Sequence, residues 1–238
     1  MNTLETLQRT TAHNLSAASV PGFKKTIGAV EAQPAGTLPS MTGTAHAPSQ
    51  PGRLPDAAPT ISYQAGALAQ SGNPLDFALK GEGFFSLQMP EGQTLYTRNG
   101  SFHVDAEGQL VNALGYPVLS GGREISVDPA LGPVTAMPDG TLRQGEVEIG
   151  QLELTKFGRP DLLSQTTGGF LQSGTMDAGA EPAEDASVIQ GFTEHSNVNP
   201  VHEMVSLITI SRAYEVNEKV LSAYDDRLGK TIEATKKT

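Results

Sequence analysis

Three regimes of hydrophobic and polar patterning follow one another along the chain. In the first, Leu4, Leu7, Thr11 and Asn14 recur at alternating steps of three and four, with Leu15 beside them. That period predicts a helix over residues 2–17. Asn2 can cap it, Glu5 supplies the returning carboxylate three residues on, and Pro21-Gly22 stops it. In the second regime, short runs rich in aromatic and β-branched residues start at residue 73: FALKGEGFFSLQM, TLYTRNGSFHVD, GQLVNALGYPVLS, EISVD and TLRQGEVEIGQLELTKF. PEG, RNG, DAEG, SGG and PDG lie within or between them as plausible turns, and no crossover helix intervenes. The expectation is an all-β antiparallel domain, sandwich or barrel-like, over 73–190, with Gln172 to Asp185 as loop.

The third regime is the longest. Asn199 suits an N-cap, Pro200 the first helical position and Glu203 the first turn, where the helix dipole favours a carboxylate. Leu207, Ile210, Tyr214, Asn217, Leu221, Tyr224, Leu228 and Thr231 then repeat in strict three–four steps, a heptad seam with one strongly polar member, Asn217. Val201, Met204, Val205 and Ile208 are expected to widen the stripe at its start. From Pro200 to Ile232 such a helix would run about 50 Å at ~1.5 Å per residue. Periodicity alone leaves two readings open: an ordinary amphipathic helix packed on its own β domain, or a coiled coil. A matching seam at the opposite terminus favours the second. The expected fold is therefore α+β, with N- and C-terminal helices pairing as a coiled coil around an inserted β domain. The N-terminal segment is too short to cover the whole seam, so part of it is expected to face other chains.

Composition separates these regimes into four stretches. Residues 32–72 are dominated by Pro, Ala, Gly, Ser and Thr, with only Arg53 and Asp56 charged, and read as a connector. The organisation is then 1–31 (helix and GFK segment), 32–72 (connector), 73–190 (β domain) and 191–238 (C-terminal helix). The formal charge of −10 argues against a nucleic-acid binder, which would present a basic face. The chain has no Cys, which excludes disulfides, thiolate metal sites and thiol catalysis. No apolar run approaches the ~18 residues of a membrane span. MNTLETLQRTTAHNL lacks the apolar core of a signal peptide, so departure from the cytoplasm would need another route.

Signatures of catalysis and cofactor binding do not assemble. His13, His46, His103, His195 and His202 form no metal-ligand spacing, and no G-x-S-x-G elbow or Walker loop occurs. Gly81-Glu82-Gly83 resembles the start of a dinucleotide loop, but Ser86 replaces the third glycine and a strand-like run follows. It reads as a turn. Asp225-Asp226 is most simply a solvated helix face. The expectation is neither an enzyme nor a cofactor protein.

Four stretches together resemble the bacterial flagellar rod and hook family: AHNLSAASVPGFKK, NPLDFALKGEGFFSLQ, LYTRNGSFHVDAEGQLVNALGYPVL and SNVNPVHEMVSLITISRAYEVNEKVL. They cover both ends and the start of the β region, in the family's order. Pro200 in SNVNP and the run VLSGGREISVD side with the proximal-rod branch over the distal-rod branch, and hook subunits are usually longer. Where the family reads A-N-N-L-A-N-x-x-T-x-G-F, this chain has His13-Asn14-Leu15-Ser16-Ala17, and Val20 stands at the threonine. The resemblance implies a structural axial subunit whose terminal helices pair and polymerise. It implies partners among other rod subunits and its own copies, export by the flagellar type III apparatus, and a place in the periplasmic rod. The implied assembly seam is Leu4, Leu7, Asn14, Leu15, Leu207, Ile210, Tyr214, Asn217, Leu221, Tyr224 and Leu228. A distal-rod or hook-type subunit, or a secreted β-domain binding module, are the competing readings.

Overall fold

A computed structural model describes residues 2–28, 59–174 and 176–236. The described residues divide into two compact units. One holds helix α1 (Asn2–Ser16), residues 26–28, 59 and 60, and helix α2 (Pro200–Lys236). The other runs over Ala17–Lys25 and Ile61–Val198 and is built of short strands. Residues 32–58 of the expected connector lie outside the described residues.

In the helical unit both helices begin as their end signals predict. The Asn199 side-chain oxygen accepts from the backbone N–H groups of Val201 (3.1 Å) and His202 (3.3 Å), satisfying donors that the first turn of α2 cannot pair internally. Pro200 opens the helix where a missing N–H costs nothing. Within α1, Thr11 Oγ1 donates back to the Leu7 carbonyl at 2.8 Å. Among the described residues no helix is long and apolar enough to cross a membrane.

The β unit centres on a six-stranded antiparallel sheet with strand order 163–165, 171–173, 94–97, 84–88, 154–157, 180–182. Side chains alternate across it with the period of two that a pleated strand imposes. Phe85 and Leu87 point into the main core with Phe77, Phe102, Leu110 and Ile125. Phe84 points to the other face, with Leu163 and Leu171 and against Tyr63 and Phe157. Ser86 is buried between them, its hydroxyl 3.0 Å from that of Thr155, so the polar atom is satisfied inside. Strands 77–80 and 187–190 pair, as do 68–70 and 192–194.

The turn signals fare differently. PEG, DAEG, SGG and PDG each join two paired strands. RNG does not: strand 94–97 joins the large sheet, whereas 102–104 pairs with 110–112. Gly100 is there because the Phe77 carbonyl oxygen would lie 1.9 Å from any Cβ at that position. Gly81 and Gly83 hold φ of +103° and +137° between strands 77–80 and 84–88, so this stretch is a turn and not the opening of a dinucleotide loop. The expected loop from Gln172 to Asp185 needs correction. Residues 171–173 and 180–182 complete the large sheet, their polar composition tolerated because 180–182 is an exposed edge strand. Residues 192–194 are likewise strand, and α2 starts only at Pro200.

Candidate assembly interface

Asn14 organises the helical unit. Its amide mimics a peptide group: Oδ1 accepts from the Thr26 N–H at 2.9 Å and Nδ2 donates to the Thr26 carbonyl at 2.8 Å. The same Nδ2 lies 3.4 Å from Glu203 Oε2 on the first turn of α2, and both side chains are buried. Thr11 is buried and Leu4, Leu7 and Leu15 are half-buried on α1. On α2, Ile210 is buried and Leu207 and Tyr214 are half-buried. Leu7 and Ile210 line one groove of about 240 Å³, which Gly28 and Val205 share. An added Cβ on Gly28 would meet Leu7 Cδ2 at 2.7 Å, so the glycine makes room there for the leucine.

Beyond Tyr214 the expected seam is solvent-facing: Asn217 and Tyr224 are exposed. Leu221 and Leu228 lie in the helical span of α2. The second apolar edge departs from expectation. At about 100° per residue, Val201, Met204, Val205 and Ile208 point half a turn away from Glu203, Leu207, Ile210 and Tyr214. They do not widen the covered stripe. They form a separate exposed face, continued by Val216 and Val220, with exposures from 47% to 69%.

Within the β unit, the segments that lead to the two helices are tied together by a cluster that sequence reasoning missed. Lys24 Nζ donates to Glu194 Oε1 at 2.6 Å and to the Gln64 carbonyl at 2.8 Å. Arg98 Nη1 is 3.6 Å from Glu194 Oε2, and Arg98 also donates to the Leu79 and Gly81 carbonyls. All three side chains are buried, so two cations share one carboxylate. Burial pushes the Lys24 ammonium below its ordinary range, opposed by its hydrogen bond to Glu194. Around this cluster, Asn197 Oδ1 accepts from the Lys25 N–H at 2.6 Å, while Asn197 Nδ2 donates to the Ser62 and Gln64 carbonyls. Gly22 donates its N–H to the Glu194 carbonyl at 2.7 Å, and Phe23 packs with Ala17 and Val198. GFKK and SNVN are thus partners of one another, across 172 positions in the case of Lys25 and Asn197. Nothing in their spacing announces it.

Two family profiles match this chain: the flagellar hook protein FlgE/F/G D1 domain over residues 78–144, and the flagellar basal body rod FlgEFG protein C-terminal region over residues 189–234. Curated relatives extend the similarity to most of the length. Flagellar basal-body rod protein FlgF of Caulobacter vibrioides is 37% identical, over 88% of this chain and 84% of that protein. FlgF of Escherichia coli is 34% identical, over 94% and 90%. Flagellar basal-body rod protein FlgG of Buchnera aphidicola subsp. Schizaphis graminum is 34% identical, over 92% and 90%.

Proposed function

The chain belongs to the flagellar basal-body rod protein family, and from that premise we propose that it is a proximal-rod subunit whose terminal helices pair as a coiled coil and build the rod with those of neighbouring subunits. Its role is structural and not enzymatic: it carries torque for motility through repeated helix contacts. The observation that carries this reading is the similarity to FlgF over 94% of the chain, which spans both terminal helices. The Asn14–Glu203 contact and the shared groove of Leu7 and Ile210 support helix pairing. Asn217, Tyr224 and the exposed apolar face of α2 are then surfaces that other subunits cover. Assembly in the periplasmic rod calls for passage through the flagellar export apparatus, in keeping with an N-terminus that has no signal-peptide core. The four-part organisation follows from the same reading: helix, connector, β domain, helix.

The test is fractionation. The protein is expected in purified basal bodies, and Ile210→Asp, which buries an unpaired charge, is expected to leave a normally melting β unit in a subunit absent from the rod. Recovery of the wild-type chain only as free periplasmic protein would refute the assignment. Normal motility with Ile210→Asp would refute the helix pairing.

A further inference from the structure

The helical unit carries two apolar features that do not belong to the same surface. One is the groove floored by Leu7 and Ile210, bordered by Val205 and Gly28, with Asn14 and Glu203 at its polar end. The other is a ridge further along α2. Val216, Val220 and Tyr224 are spaced four apart and are 57%, 47% and 61% exposed. An i±4 row of side chains is the kind of ridge that packs into a groove between neighbouring helices. On one α2 helix the ridge begins about 16 Å beyond the groove, at ~1.5 Å per residue from Val205 to Val216. A rigid helix cannot fold its own ridge back into its own groove. The groove also lies on the flank of α2 where Val205 sits, so α1 borders it without filling it.

We propose that the Val216–Val220–Tyr224 ridge of one subunit docks into the α1–α2 groove of a second copy of this chain, displaced along the helix axis. This rests on the rod-subunit reading and deepens it by naming the two patches and the copy that joins them. The chemistry fits an apolar partner: aliphatic side chains enter a cleft floored by Leu and Ile. A second copy is the occupant because a structural rod subunit meets equivalents of itself, and because the ridge and the groove occur on every copy. Ridge to groove is a heterologous contact, and in parallel orientation it does not close, so it extends as an open polymer. An antiparallel pair would satisfy both patches at once and stop at a dimer, which a rod with one polarity cannot use.

The chain has no cysteine, so engineered thiols report this contact without background. Thr209, on the groove border, and Val220, on the ridge, are both exposed. Within one helix they are about 16 Å apart, too far for a disulfide, which needs Cα atoms within about 7 Å. T209C/V220C protein in isolated basal bodies, oxidised mildly, is expected to give a ladder at multiples of the 25.0 kDa chain. Each single-cysteine variant is expected to stay monomeric, and an equal mixture of the two to stop at dimers. A double variant that stops at dimers would show antiparallel pairing and overturn the proposal. So would dimers from V220C alone, or cross-links only to a different rod protein. A chain absent from basal bodies would refute the rod reading itself, whereas a chain present there with no cross-link at 209–220 would refute only the ridge and groove. As a second arm, Val220→Asp changes an exposed position and is expected to leave the melting curve unchanged while removing the subunit from the rod. Undiminished incorporation of that variant would also overturn the proposal.

Discussion

Two buried cations around one carboxylate make an unequal bargain, and the inequality can be measured. Glu194→Gln keeps an oxygen for the Lys24 ammonium and the Gly66 N–H but removes the charge. The Lys24 and Arg98 side chains, 3% and 5% exposed, would then share a buried site with no anion. Removing one partner of a buried pair costs about 3–5 kcal/mol, a large part of the ~5–15 kcal/mol that holds a domain together. For a chain of this size that corresponds to a fall in Tm of about 6–20 °C. Lys24→Met is the counterpart. Glu194 keeps Arg98 and the Gly66 N–H, and the Gln64 carbonyl still accepts from Asn197 Nδ2 at 3.0 Å. Only one charged hydrogen bond is lost in excess, offset by the relief of burying an ammonium, so the expected cost is about 1–2 kcal/mol. Urea unfolding of each variant, followed by near-UV circular dichroism of the tyrosines in this Trp-free chain, gives both numbers. If Lys24→Met proves as damaging as Glu194→Gln, the reasoning from an excess of buried positive charge is wrong.

Other outcomes follow from single groups. Burial, with the charge of Asp161 adding to it, pushes the Tyr63 phenol from 10.0 up to about 12. The folded state keeps a proton that the unfolded chain releases, so this contribution is complete below pH 10 and is lost as the pH rises through 12. Tyr63→Phe is expected to flatten the alkaline loss of stability over that window and, at neutral pH, to cost about 1 kcal/mol for the bond to the Pro160 carbonyl. An unchanged slope in melts between pH 10 and 12 would exclude Tyr63 as its source. Gly22 sits at φ +69°, and a Cβ there would lie 2.3 Å from the Asn99 nitrogen; Gly22→Ala is expected to lose at least ~1–3 kcal/mol from strained backbone alone, and a neutral effect in thermal melts would contradict the close approach. Asn14→Ala strips both Thr26 backbone groups of their partner, at about 1–3 kcal/mol if they stay buried, and hydrogen exchange should reveal it as lost protection of the Thr26 amide with the β unit unaffected.

The sequence was most legible where one residue type has one physical use. Asn199-Pro200 starts α2 and Pro21-Gly22 follows the end of α1, because caps and φ-locked residues act locally. The hairpins at PEG, DAEG, SGG and PDG were legible for the same reason. Asn14 was picked out by period, but its bidentate bond to Thr26 was not, since it depends on how the chain returns after Pro21. On α2 both apolar edges were visible, yet their division into a face against α1 and a face to solvent was not. A three–four period reports amphipathicity, and only packing says which side has a neighbour. Lys24, Arg98 and Glu194 were the least legible. Lysine and arginine are read as surface residues by default, and the partner that makes burial tolerable lies 170 residues from Lys24. The strands at 171–173 and 180–182 escaped notice because edge positions tolerate polar residues that composition assigns to loops.

The pairing of strand 68–70 with strand 192–194 has one more consequence. The polypeptide enters and leaves the sheet-forming body side by side, like the two legs of a stem. Everything from residue 71 to residue 191 is a closed excursion from that stem. Lengthening, shortening or exchanging the excursion leaves the stem's two legs the same distance apart. The outer body can therefore diverge in size and surface among related subunits while the spacing of the two chain exits stays fixed.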